Sequence, residues 1–372
     1  MCGIYLTNIP FAEEDVKSKL ESIQFRGPDY TGIQKVGSLI FGHLRLSILD
    51  LDVRSHQPMQ FEELTIVFNG EIYNFQDIKK ELVSLGYTFK TTGDTEVLLK
   101  GYAAWGEALV PKLNGMFAFA IYNAATRKIF CSRDRLGVKP FYYSWHGGKF
   151  EICSQLRPIA QNKKINEDAV SMFLDCTYIP SPYTIYQGVH KLASGNNLEI
   201  DLITNKTKVW EYWNLKEVTN AGLSYEEAKE KLHELLKDAV KIRLQADVPF
   251  GSFLSGGIDS ALISSIAAKV SKEPIKTFSI GFEDPKYDES KIAAQYAKIM
   301  GSVHTETICT SEDILEMIPK LIQVYDEPFA DSSALPSLLL NKVTKQYVTM
   351  ALSGDGGDES FIGYNHFDLV AK

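Results

Sequence analysis

The pattern of hydrophobic residues changes once along the chain, and this change most constrains the fold. Up to about residue 155, short apolar runs such as Leu64–Phe68 and Met116–Tyr122 alternate with Gly, Asn and charged turn residues. This pattern is typical of stacked antiparallel sheets. From Ser224 onward, apolar strands alternate with longer segments of helical periodicity, which indicates a parallel sheet covered by helices. The chain therefore combines two kinds of sheet, and we expect two domains.

Each half predicts its own helices and strands. In the first half, helices over Asn74–Leu85 and Asp94–Trp105 each precede a glycine that suits a left-handed C-terminal cap. The second half predicts four helices and three strands, at Ser224–Leu244, Asp259–Val270, Ser290–Met300 and Met317–Val324, and at Val248–Leu254, Thr277–Phe282 and Tyr347–Leu352.

The domain boundaries follow from polar and proline-containing stretches. The stretch 155–166 is polar and carries Pro158, and the prolines within 179–184 oppose both helix and central strand. We expect a first domain over residues 2–160, a connecting lobe over 161–223 and a second domain over 224–372. Because the chain stops inside an unfinished α/β pattern, we expect the second domain to be incomplete.

Composition narrows the classes of function. The 39 Lys and Arg residues against 47 Asp and Glu give a net charge of −8, the opposite sign from that of a non-specific nucleic-acid binder. The five cysteines form no CxxC pair, which argues against a disulfide framework or a structural zinc site. No apolar run approaches the roughly 20 residues of a membrane span, and the start of the chain lacks the features of a signal peptide. We therefore expect a cytoplasmic protein without nucleic-acid or membrane partners.

Cys2 is the first candidate for chemistry. Removal of Met1 would leave a thiol and a free α-amino group on the same residue. A free thiol has a pKa of about 8.5 and an α-amino group one of about 7.7–8.0. The amine could therefore take the thiol proton, directly or through water, without a histidine. A cysteine at position 2 can also be incidental, so other segments have to decide.

Further polar positions allow both a functional and a structural interpretation. Arg45, in the strand-like stretch Arg45–Leu49, has the guanidinium geometry that grips a carboxylate. Asn69-Gly70 after an apolar strand is the commonest hairpin turn, but their amide and N–H groups could instead stabilise an oxyanion. Asp94 opens a helix and is a candidate N-cap, and it could equally bind a substrate ammonium group.

Eight ordered segments within residues 2–160 resemble the class II glutamine amidotransferases, which have the N-terminal-nucleophile glutaminase fold: MCGI, RGPD, RLSIL, SHQPM, NGEIYN, GDTE, NGMFAFAIY and RDRLGVKP. The resemblance implies an α+β sandwich of antiparallel sheets between helices. It implies that Cys2 attacks the side-chain amide of glutamine, releases ammonia and forms a thioester that is hydrolysed to glutamate. It places Arg45 on the substrate carboxylate, Asp94 on its amino group, and Asn69 with Gly70 on the oxyanion. The glutamine-binding set that it implies is Arg45, Leu46, Ile48, Asn69, Gly70, Glu71 and Asp94.

A second group of candidate residues lies at 248–260, where an apolar strand, a Ser-Gly-Gly turn and a helix start follow one another. Backbone N–H groups at such a turn form an anion site at the positive end of the helix. Gly251 and Gly256 have Walker A spacing, but Gly257 stands where that motif has its lysine, so a P-loop triphosphatase is disfavoured. An ordinary capped helix after a buried strand is the structural alternative. Ser255–Ser260 instead resembles the pyrophosphate loop of ATP pyrophosphatases, which transfer AMP, and Asp259 is a hard oxygen ligand suited to Mg²⁺.

The segment Leu352–Glu359 is a second glycine-rich turn that follows an apolar strand. Asp355, Asp358 and Glu359 place three carboxylates within five residues. Their crowding costs electrostatic energy unless a cation such as Mg²⁺ compensates it, although a solvated turn is the simpler alternative.

Together with the segment Tyr287–Ser290 and DEPFADSSALP, these motifs occur in an order that resembles the glutamine-hydrolysing asparagine synthetases. The resemblance implies a ligase that forms a C–N bond: ATP activates aspartate as β-aspartyl-AMP with release of pyrophosphate, and ammonia then displaces AMP. It implies that Asp259 and Asp358 ligate Mg²⁺, and that Asp355 is the acidic residue tied to β-aspartyl-AMP formation. The ATP-binding set that it implies is Leu254, Ser255, Gly256, Gly257, Asp259, Ser260, Ile280, Ser353 and Gly354.

The sequence departs from this family in two ways. Ser360, Phe361 and Ile362 stand where the family usually has a larger apolar residue and glycine, and family members generally run well beyond 372 residues. Three functions stay open: asparagine synthesis from glutamine, aspartate and ATP; amidation of a sugar or peptide carboxylate in polysaccharide or secondary-metabolite biosynthesis; and a truncated glutaminase or nucleotide-binding product without synthetase activity. The oligomeric state is open too, with a homodimer among the alternatives.

Overall fold

The computed structural model describes residues 1–216 and 222–364. Contacts divide the chain into two units, one comprising Met1–Glu217 with Tyr325–Ala330 and the other Val218–Val324 with Asp331–Lys372. Each unit has its own sheets and hydrophobic clusters.

The first unit contains two six-stranded sheets, and all the strand pairs described in them are antiparallel, as the sequence predicts. The strands are β1 (Gly3–Thr7), β2 (Tyr30–Val36), β3 (Leu39–Arg45), β4 (Met59–Phe61), β5 (Leu64–Ile72), β6 (Gly115–Asn123), β7 (Lys128–Arg133), β8 (Tyr142–His146), β9 (Lys149–Cys153), β10 (Val189–Lys191), β11 (Asn196–Asp201) and β12 (Lys206–Glu211). One sheet has the order β10-β8-β9-β1-β3-β2, and the other has the order β12-β11-β7-β6-β5-β4.

Strand alternation explains how these two sheets pack on each other. Ile4 of β1 and Val67 of β5 belong to the same buried cluster, which joins the facing sides of the sheets. Tyr5, the next residue of β1, lies on the opposite side with Leu20, and Phe117 of β6 lies on the outer side of the other sheet. Successive residues of a strand point to opposite faces, so each sheet has one face toward its partner sheet and one toward helices.

Helices cover these outer faces and complete the sandwich. The helices of the first unit are α1 (Glu13–Glu21), α2 (Phe75–Ser84), α3 (Asp94–Trp105) and α4 (Glu167–Cys176). Leu20 of α1 packs against the first sheet, whereas Leu82 of α2 and Leu98 of α3 pack against the second. The fold of this unit is therefore the expected α+β sandwich of antiparallel sheets between helices.

Two further segments of the chain pack into this unit. Residues 161–216 fall in the expected connecting lobe, yet β10 extends one sheet and β11 with β12 extends the other. Asp326, which falls in the expected second domain, accepts hydrogen bonds from the Gln155 Nε2 at 3.0 Å and the Arg157 N–H at 3.1 Å. These pairings lie far apart in sequence, which is why local patterns did not reveal them. The boundaries at 160 and 223 stay predictions.

The second unit is built on a four-stranded sheet whose described pairs are all parallel, as expected for an α/β domain. The order is β15-β14-β13-β16, with strands β13 (Phe250–Phe253), β14 (Lys276–Phe282), β15 (Val303–Cys309) and β16 (Met350–Leu352). Its helices are α5 (Tyr225–Arg243), α6 (Ile258–Val270), α7 (Ser290–Met300), α8 (Ser311–Val324), α9 (Ala334–Thr344) and α10 (Gly357–Phe361). Across the described parts of both units, no helix is long and apolar enough to cross a membrane.

The structure corrects two local predictions near the candidate residues. The stretch Arg45–Leu49 is not a strand, because β3 ends at Arg45. Asn69 and Gly70 do not form a hairpin turn, since both lie inside β5 and pair with Ala118 and Phe117 of β6. The ladder with β6 continues through these residues, and this tertiary pairing overrides their local turn propensity.

Several elements begin elsewhere than expected or were missed. The sequence pattern did not reveal α1, α4, α9 or β15. Helix α8 begins at Ser311 instead of Met317, because Thr310 and Asp313 bond to each other's backbone N–H groups at the helix start. Such reciprocal bonds satisfy the free donors of a first turn.

Candidate active sites

Cys2 precedes β1 and is held from two sides. The Leu46 N–H donates to Cys2 Sγ at 3.4 Å, and the Arg26 Nε donates to the Cys2 carbonyl oxygen at 3.0 Å. Burial raises the pKa of the Cys2 thiol, and the hydrogen bond from Leu46 opposes that rise. The thiol is therefore protonated near neutral pH and needs a base before it can act as a nucleophile.

The terminal amine lies next to this thiol. With Met1 in place, burial lowers the pKa of that amine from 8.0 to about 5, and the Lys139 and Arg26 cations lower it as well. An amine in this environment is uncharged at neutral pH and can accept a proton.

Asn69 carries a buried amide without a partner. The residue is 0% exposed, and neither its Oδ1 nor its Nδ2 has a hydrogen-bond partner within the described chain. Leaving such a group unpaired costs about 1–3 kcal/mol, so native proteins keep one where it serves a purpose. The next residue, Gly70, has no room for a side chain, since a Cβ there would lie 2.2 Å from the Met116 carbonyl oxygen.

Arg45 organises the loop that follows β3. Its guanidinium donates to the carbonyl oxygens of Asp52 at 2.9 Å and Leu49 at 3.3 Å, and also to that of Asp50. These bonds fix the loop that contains Leu46 and Ile48, both half-buried. Arg has five N–H donors, and these three bonds to the loop use three of them.

Asp94 is the first residue of α3, not its N-cap. Gly93 has the extended backbone of an N-cap, so the predicted cap position is wrong by one residue. The Asp94 carboxylate accepts the Ile72 N–H at 2.9 Å, and burial raises its pKa to about 6. Asp94 also acts electrostatically on the Cys2 thiol, and Glu71, which adjoins Ile72 in the chain, is buried as well.

A cleft of about 1070 Å³ opens at the carboxyl ends of β13, β14 and β16 in the second unit. Because β14 and β16 flank β13 on opposite sides, the strand order reverses at this point. Ligands of open α/β sheets bind in the crevice at such a reversal. Eight of the nine residues predicted to bind ATP border the cleft, and the ninth, Gly256, lies in the loop that follows β13.

The loop from Ser255 to Ser260 is closed by side-chain oxygens. The Ser255 N–H donates to Ser260 Oγ at 3.0 Å, the Gly257 N–H to Ser255 Oγ at 3.1 Å, and the Gly256 N–H to Glu289 Oε2 at 3.1 Å. Helix α6 then begins at Ile258 without a side-chain cap. A phosphate group bound at this turn would replace these oxygens as the acceptor.

The predicted acidic residues gather around the same cleft. Asp259 packs against the second glycine-rich loop, since a Cβ on Gly357 would lie 2.4 Å from Asp259 Oδ2. Asp355 is exposed, and Asp355, Asp358 and Glu359 also border the cleft. Among the residues that the structure describes, no group of three or more His, Cys, Asp or Glu side chains converges on a single metal position.

Comparison with known proteins finds a family model for each half of the chain. The glutamine amidotransferase domain model matches residues 1–213, and the asparagine synthase model matches residues 231–371. A Methanocaldococcus jannaschii protein, provisionally named asparagine synthetase (glutamine-hydrolyzing) 2, is 41% identical over 98% of this chain. This chain belongs to the glutamine-hydrolysing asparagine synthetase family.

The relatives of this chain differ in name and in how much of their length the chain spans. Asparagine synthetase (glutamine-hydrolyzing) 1 of Bacillus subtilis is 37% identical over 95% of this chain, and amidase chyE of Penicillium rubens is 29% identical over 96% of it. The chain spans 76% of the archaeal relative but only 56% of each of the other two.

Sequence reasoning missed three charged residues of the candidate sites. Arg26 and Lys139 are buried and act electrostatically on Cys2 or on the terminal amine, and Glu289 bonds to the Gly256 N–H. Arg26 lies in RGPD and Lys139 in RDRLGVKP, two segments of the class II amidotransferase resemblance, and Glu289 lies in Tyr287–Ser290, a segment of the asparagine synthetase resemblance. The segments were therefore a usable signal, but their local pattern did not identify which side chain faces the site.

Proposed function

We propose that this protein makes asparagine from aspartate, with glutamine as nitrogen donor and ATP as cosubstrate. The observation that carries the proposal is the unpartnered, buried amide of Asn69. It lies on β5 three residues before Ile72, whose N–H binds the Asp94 carboxylate, and Asp94 acts on Cys2. A nucleophile, an amide donor and a carboxylate are therefore connected in one buried region.

The glutaminase reaction begins with proton transfer within the chain terminus. Once Met1 is removed, the α-amino group of Cys2 accepts the thiol proton, and Sγ attacks the side-chain amide carbon of glutamine. The Asn69 amide and the Gly70 N–H stabilise the negative charge on the former carbonyl oxygen. The C–N bond breaks, the proton passes to the departing nitrogen, and ammonia leaves a thioester that water hydrolyses to glutamate.

Glutamine is held by the charges that surround this centre. The N–H groups of Arg45 that do not bond to the loop bind its carboxylate, while Asp94 and Glu71 bind its ammonium group. Leu46 and Ile48 contribute from the loop that Arg45 fixes.

The synthetase reaction takes place in the cleft of the second unit. ATP binds at the Ser255–Ser260 loop, and its phosphates replace the oxygens that now accept the loop N–H groups. The aspartate side-chain carboxylate attacks the α-phosphate of ATP, pyrophosphate leaves, and β-aspartyl-AMP forms, with Asp355 as the acidic residue of this step. Ammonia then attacks the acyl carbon and AMP leaves, which yields asparagine.

The acidic residues of this cleft fit a magnesium site. Mg²⁺ is commonly bound by one or two carboxylates together with substrate phosphates, and Asp259 with Asp358 supply such a pair beside the loop. When bound, Mg²⁺ would neutralise the negative charge of the phosphates, because the Ser255–Ser260 loop has no lysine to do so.

A second candidate function changes the acceptor. A relative that aligns with 96% of this chain is named an amidase. An acceptor carboxylate other than that of aspartate is therefore compatible with the same two sites. A product with glutaminase activity alone is the third alternative.

One experiment separates these alternatives. Purified protein is incubated with glutamine, ATP, Mg²⁺ and aspartate, and glutamate, asparagine, AMP and pyrophosphate are measured. Asparagine and AMP in equal amounts support the proposal, whereas glutamate without AMP indicates the third alternative. AMP formation only with a sugar or peptide carboxylate would favour the second.

Two variants test the nucleophile. Cys2→Ala is expected to abolish glutamate release, whereas Cys176→Ala, which removes an exposed free cysteine, is the matched control and should leave it unchanged. Mass spectrometry of the purified chain is expected to show Cys2 as the first residue with a free amine. Glutamate release by Cys2→Ala would refute the assignment.

We also propose a cytoplasmic location, small-molecule substrates, no nucleic-acid partner, and the domain boundaries given above. Size-exclusion chromatography with light scattering tests whether the protein is a homodimer, and limited proteolysis tests the boundaries.

A further inference from the structure

The SHQPM segment is a motif of the first unit that the proposed reaction does not use. Its glutamine, Gln57, is 5% exposed and lies shortly before β4. Strand β4 pairs with β5 only over Leu64–Ile66, so strand pairing on this edge of β5 stops before Phe68. Buried polar side chains in native proteins are hydrogen-bonded, and the partners of the Gln57 amide therefore indicate its role.

The Gln57 side chain takes the place of a neighbouring strand at Phe68. Its Oε1 accepts the Phe68 N–H at 2.6 Å, and its Nε2 donates to the Phe68 carbonyl oxygen at 3.2 Å. A primary amide offers a donor and an acceptor side by side. Gln57 can therefore pair with both backbone groups of one residue, as a paired strand would.

The Gln57 amide and the Phe68 carbonyl group are themselves held by further contacts. Gln57 Nε2 also donates to Thr95 Oγ1 at 3.4 Å, and His43 Nε2 donates to the Phe68 carbonyl oxygen at 3.2 Å. The backbone of Gln57 packs against β2, where a Cβ on Gly32 would lie 2.1 Å from the Gln57 carbonyl oxygen. The position of Gln57 is therefore fixed through both its side chain and its backbone.

Phe68 directly precedes Asn69 and Gly70, the two proposed oxyanion donors. Backbone groups two residues apart in an antiparallel strand point to the same neighbour, so Phe68, Gly70 and Ile72 face the same edge of β5. Gln57 binds the Phe68 N–H on this edge, and the Asp94 carboxylate binds the Ile72 N–H at 2.9 Å. The Gly70 N–H thus lies between two anchored positions of one strand.

We propose that Gln57 is a positioning residue of the glutaminase site, which holds the Phe68 peptide so that the Asn69 amide and the Gly70 N–H lie where the oxyanion forms. Oxyanion donors act at about 2.7–3.1 Å from the position that the oxygen will occupy. A small displacement of β5 would therefore weaken both donors together. This inference deepens the proposed glutaminase activity and rests on it.

The first test is steady-state kinetics of glutamate release by Gln57→Met, which keeps a side chain of similar length without the amide. Misplacing a reacting group by about 1 Å can cost about 10²-fold in rate, so we expect kcat to fall by about 10–100-fold. KM for glutamine should stay within about threefold of the wild-type value, because the donors act on charge that forms only in the transition state. Wild-type kcat in this variant would overturn the proposal, whether or not KM changed.

A double-mutant cycle separates positioning from a general loss of structure. In the Asn69→Leu background, one of the two donors that Gln57 positions is already absent. The fold loss in kcat caused by Gln57→Met should therefore be smaller there than in the wild-type background, by at least about threefold. Equal losses in both backgrounds would mean that Gln57 acts independently of Asn69, and they would overturn the proposal.

Gln60→Met is the matched control. Gln60 is an exposed glutamine of β4 whose Nε2 donates to Thr65 Oγ1 of β5 at 3.4 Å, and its replacement should leave kcat unchanged. A lowered kcat in this control would show that the site responds to any lost contact between β4 and β5, which would overturn the proposal.

A second variant and the wild-type protein complete the test. If circular dichroism shows that Gln57→Met does not fold, Gln57→Asn, whose amide is one methylene too short to reach Phe68, is measured with the same expectations. Absence of glutamate release from the wild-type protein would refute the proposed function itself, whereas the other contrary outcomes refute only the role of Gln57.

Discussion

Replacing Asn69 with leucine should stabilise the fold and damage the glutaminase reaction at the same time. Both polar atoms of the Asn69 amide are buried without a partner in the described chain, and an unpaired buried polar group costs about 1–3 kcal/mol. Leucine has nearly the same shape and no polar atoms. We therefore expect Asn69→Leu to raise the free energy of unfolding by about 1–3 kcal/mol.

The same change removes a proposed oxyanion donor. Loss of one such donor lowers kcat by about 10²–10³, or about 2.7–4 kcal/mol of transition-state stabilisation. Urea denaturation measures the first effect, and glutamate release at saturating glutamine measures the second. The substitution should therefore raise the free energy of unfolding while it lowers kcat. Replacing an asparagine with a purely structural role would not lower kcat in a variant that is more stable.

Asn197 offers a matched control. It is a buried asparagine in β11 of the same sheet, and its Oδ1 also has no hydrogen-bond partner in the described chain. Asn197→Leu should alter unfolding without changing kcat. The reasoning would be refuted if Asn69→Leu kept wild-type kcat, or if it lowered both stability and kcat as a misfolded variant does.

Three further outcomes follow from the charged residues. With the pKa of Asp94 raised to about 6, kcat/KM for glutamine should fall as pH drops through about 6, because a protonated Asp94 cannot pair with the substrate ammonium group; the pH profile of Asp94→Asn should lack this limb. Since the folded pKa of Asp94 lies above its reference value of 3.8, the free energy of unfolding should decline as pH rises from about 4 to about 6, and urea titrations of Asp94→Asn should show a flatter profile. In the second unit, Asp259→Asn and Asp358→Asn should weaken Mg²⁺-dependent formation of AMP by at least about 10–100-fold with unchanged glutamate release, while the exposed Asp77→Asn should change neither product.

The sequence was sufficient where local pattern and tertiary structure agree. Helix α7 has the predicted bounds. Helix α5 (Tyr225–Arg243) is one residue shorter at each end than the predicted helix, because Ser224 is its N-cap, whose hydroxyl accepts the Glu227 N–H at 3.4 Å. Strand and helix alternation also predicted the parallel sheet. In these segments the apolar period, the cap residues and the packing all favour the same element.

Local sequence patterns were insufficient where residues far apart in the chain determine the structure. Asn69-Gly70 has the composition of a turn, and only the nine-residue pairing of β5 with β6 shows it to be strand. The pairing of Asp326 with Arg157 spans 169 residues, and no local signal predicts it. The strand prediction for Arg45–Leu49 failed in a similar way, since β3 ends at Arg45 and the following residues form a loop whose carbonyl oxygens accept hydrogen bonds from the Arg45 guanidinium.

The same distinction explains what was predicted of the glutaminase site. Motifs pointed to Cys2, Asn69 and Asp94 as candidates, but motifs do not report burial, and burial shifts the pKa values of Cys2 and Asp94. Desolvation raises the pKa of the Cys2 thiol and of Asp94, and it lowers the pKa of Lys139 and of the terminal amine. Each shift favours the uncharged form of its group. The structure therefore has a protonated Cys2 thiol beside an uncharged Met1 amine. The proposed mechanism requires the same uncharged state of the α-amino group that Cys2 gains when Met1 is removed.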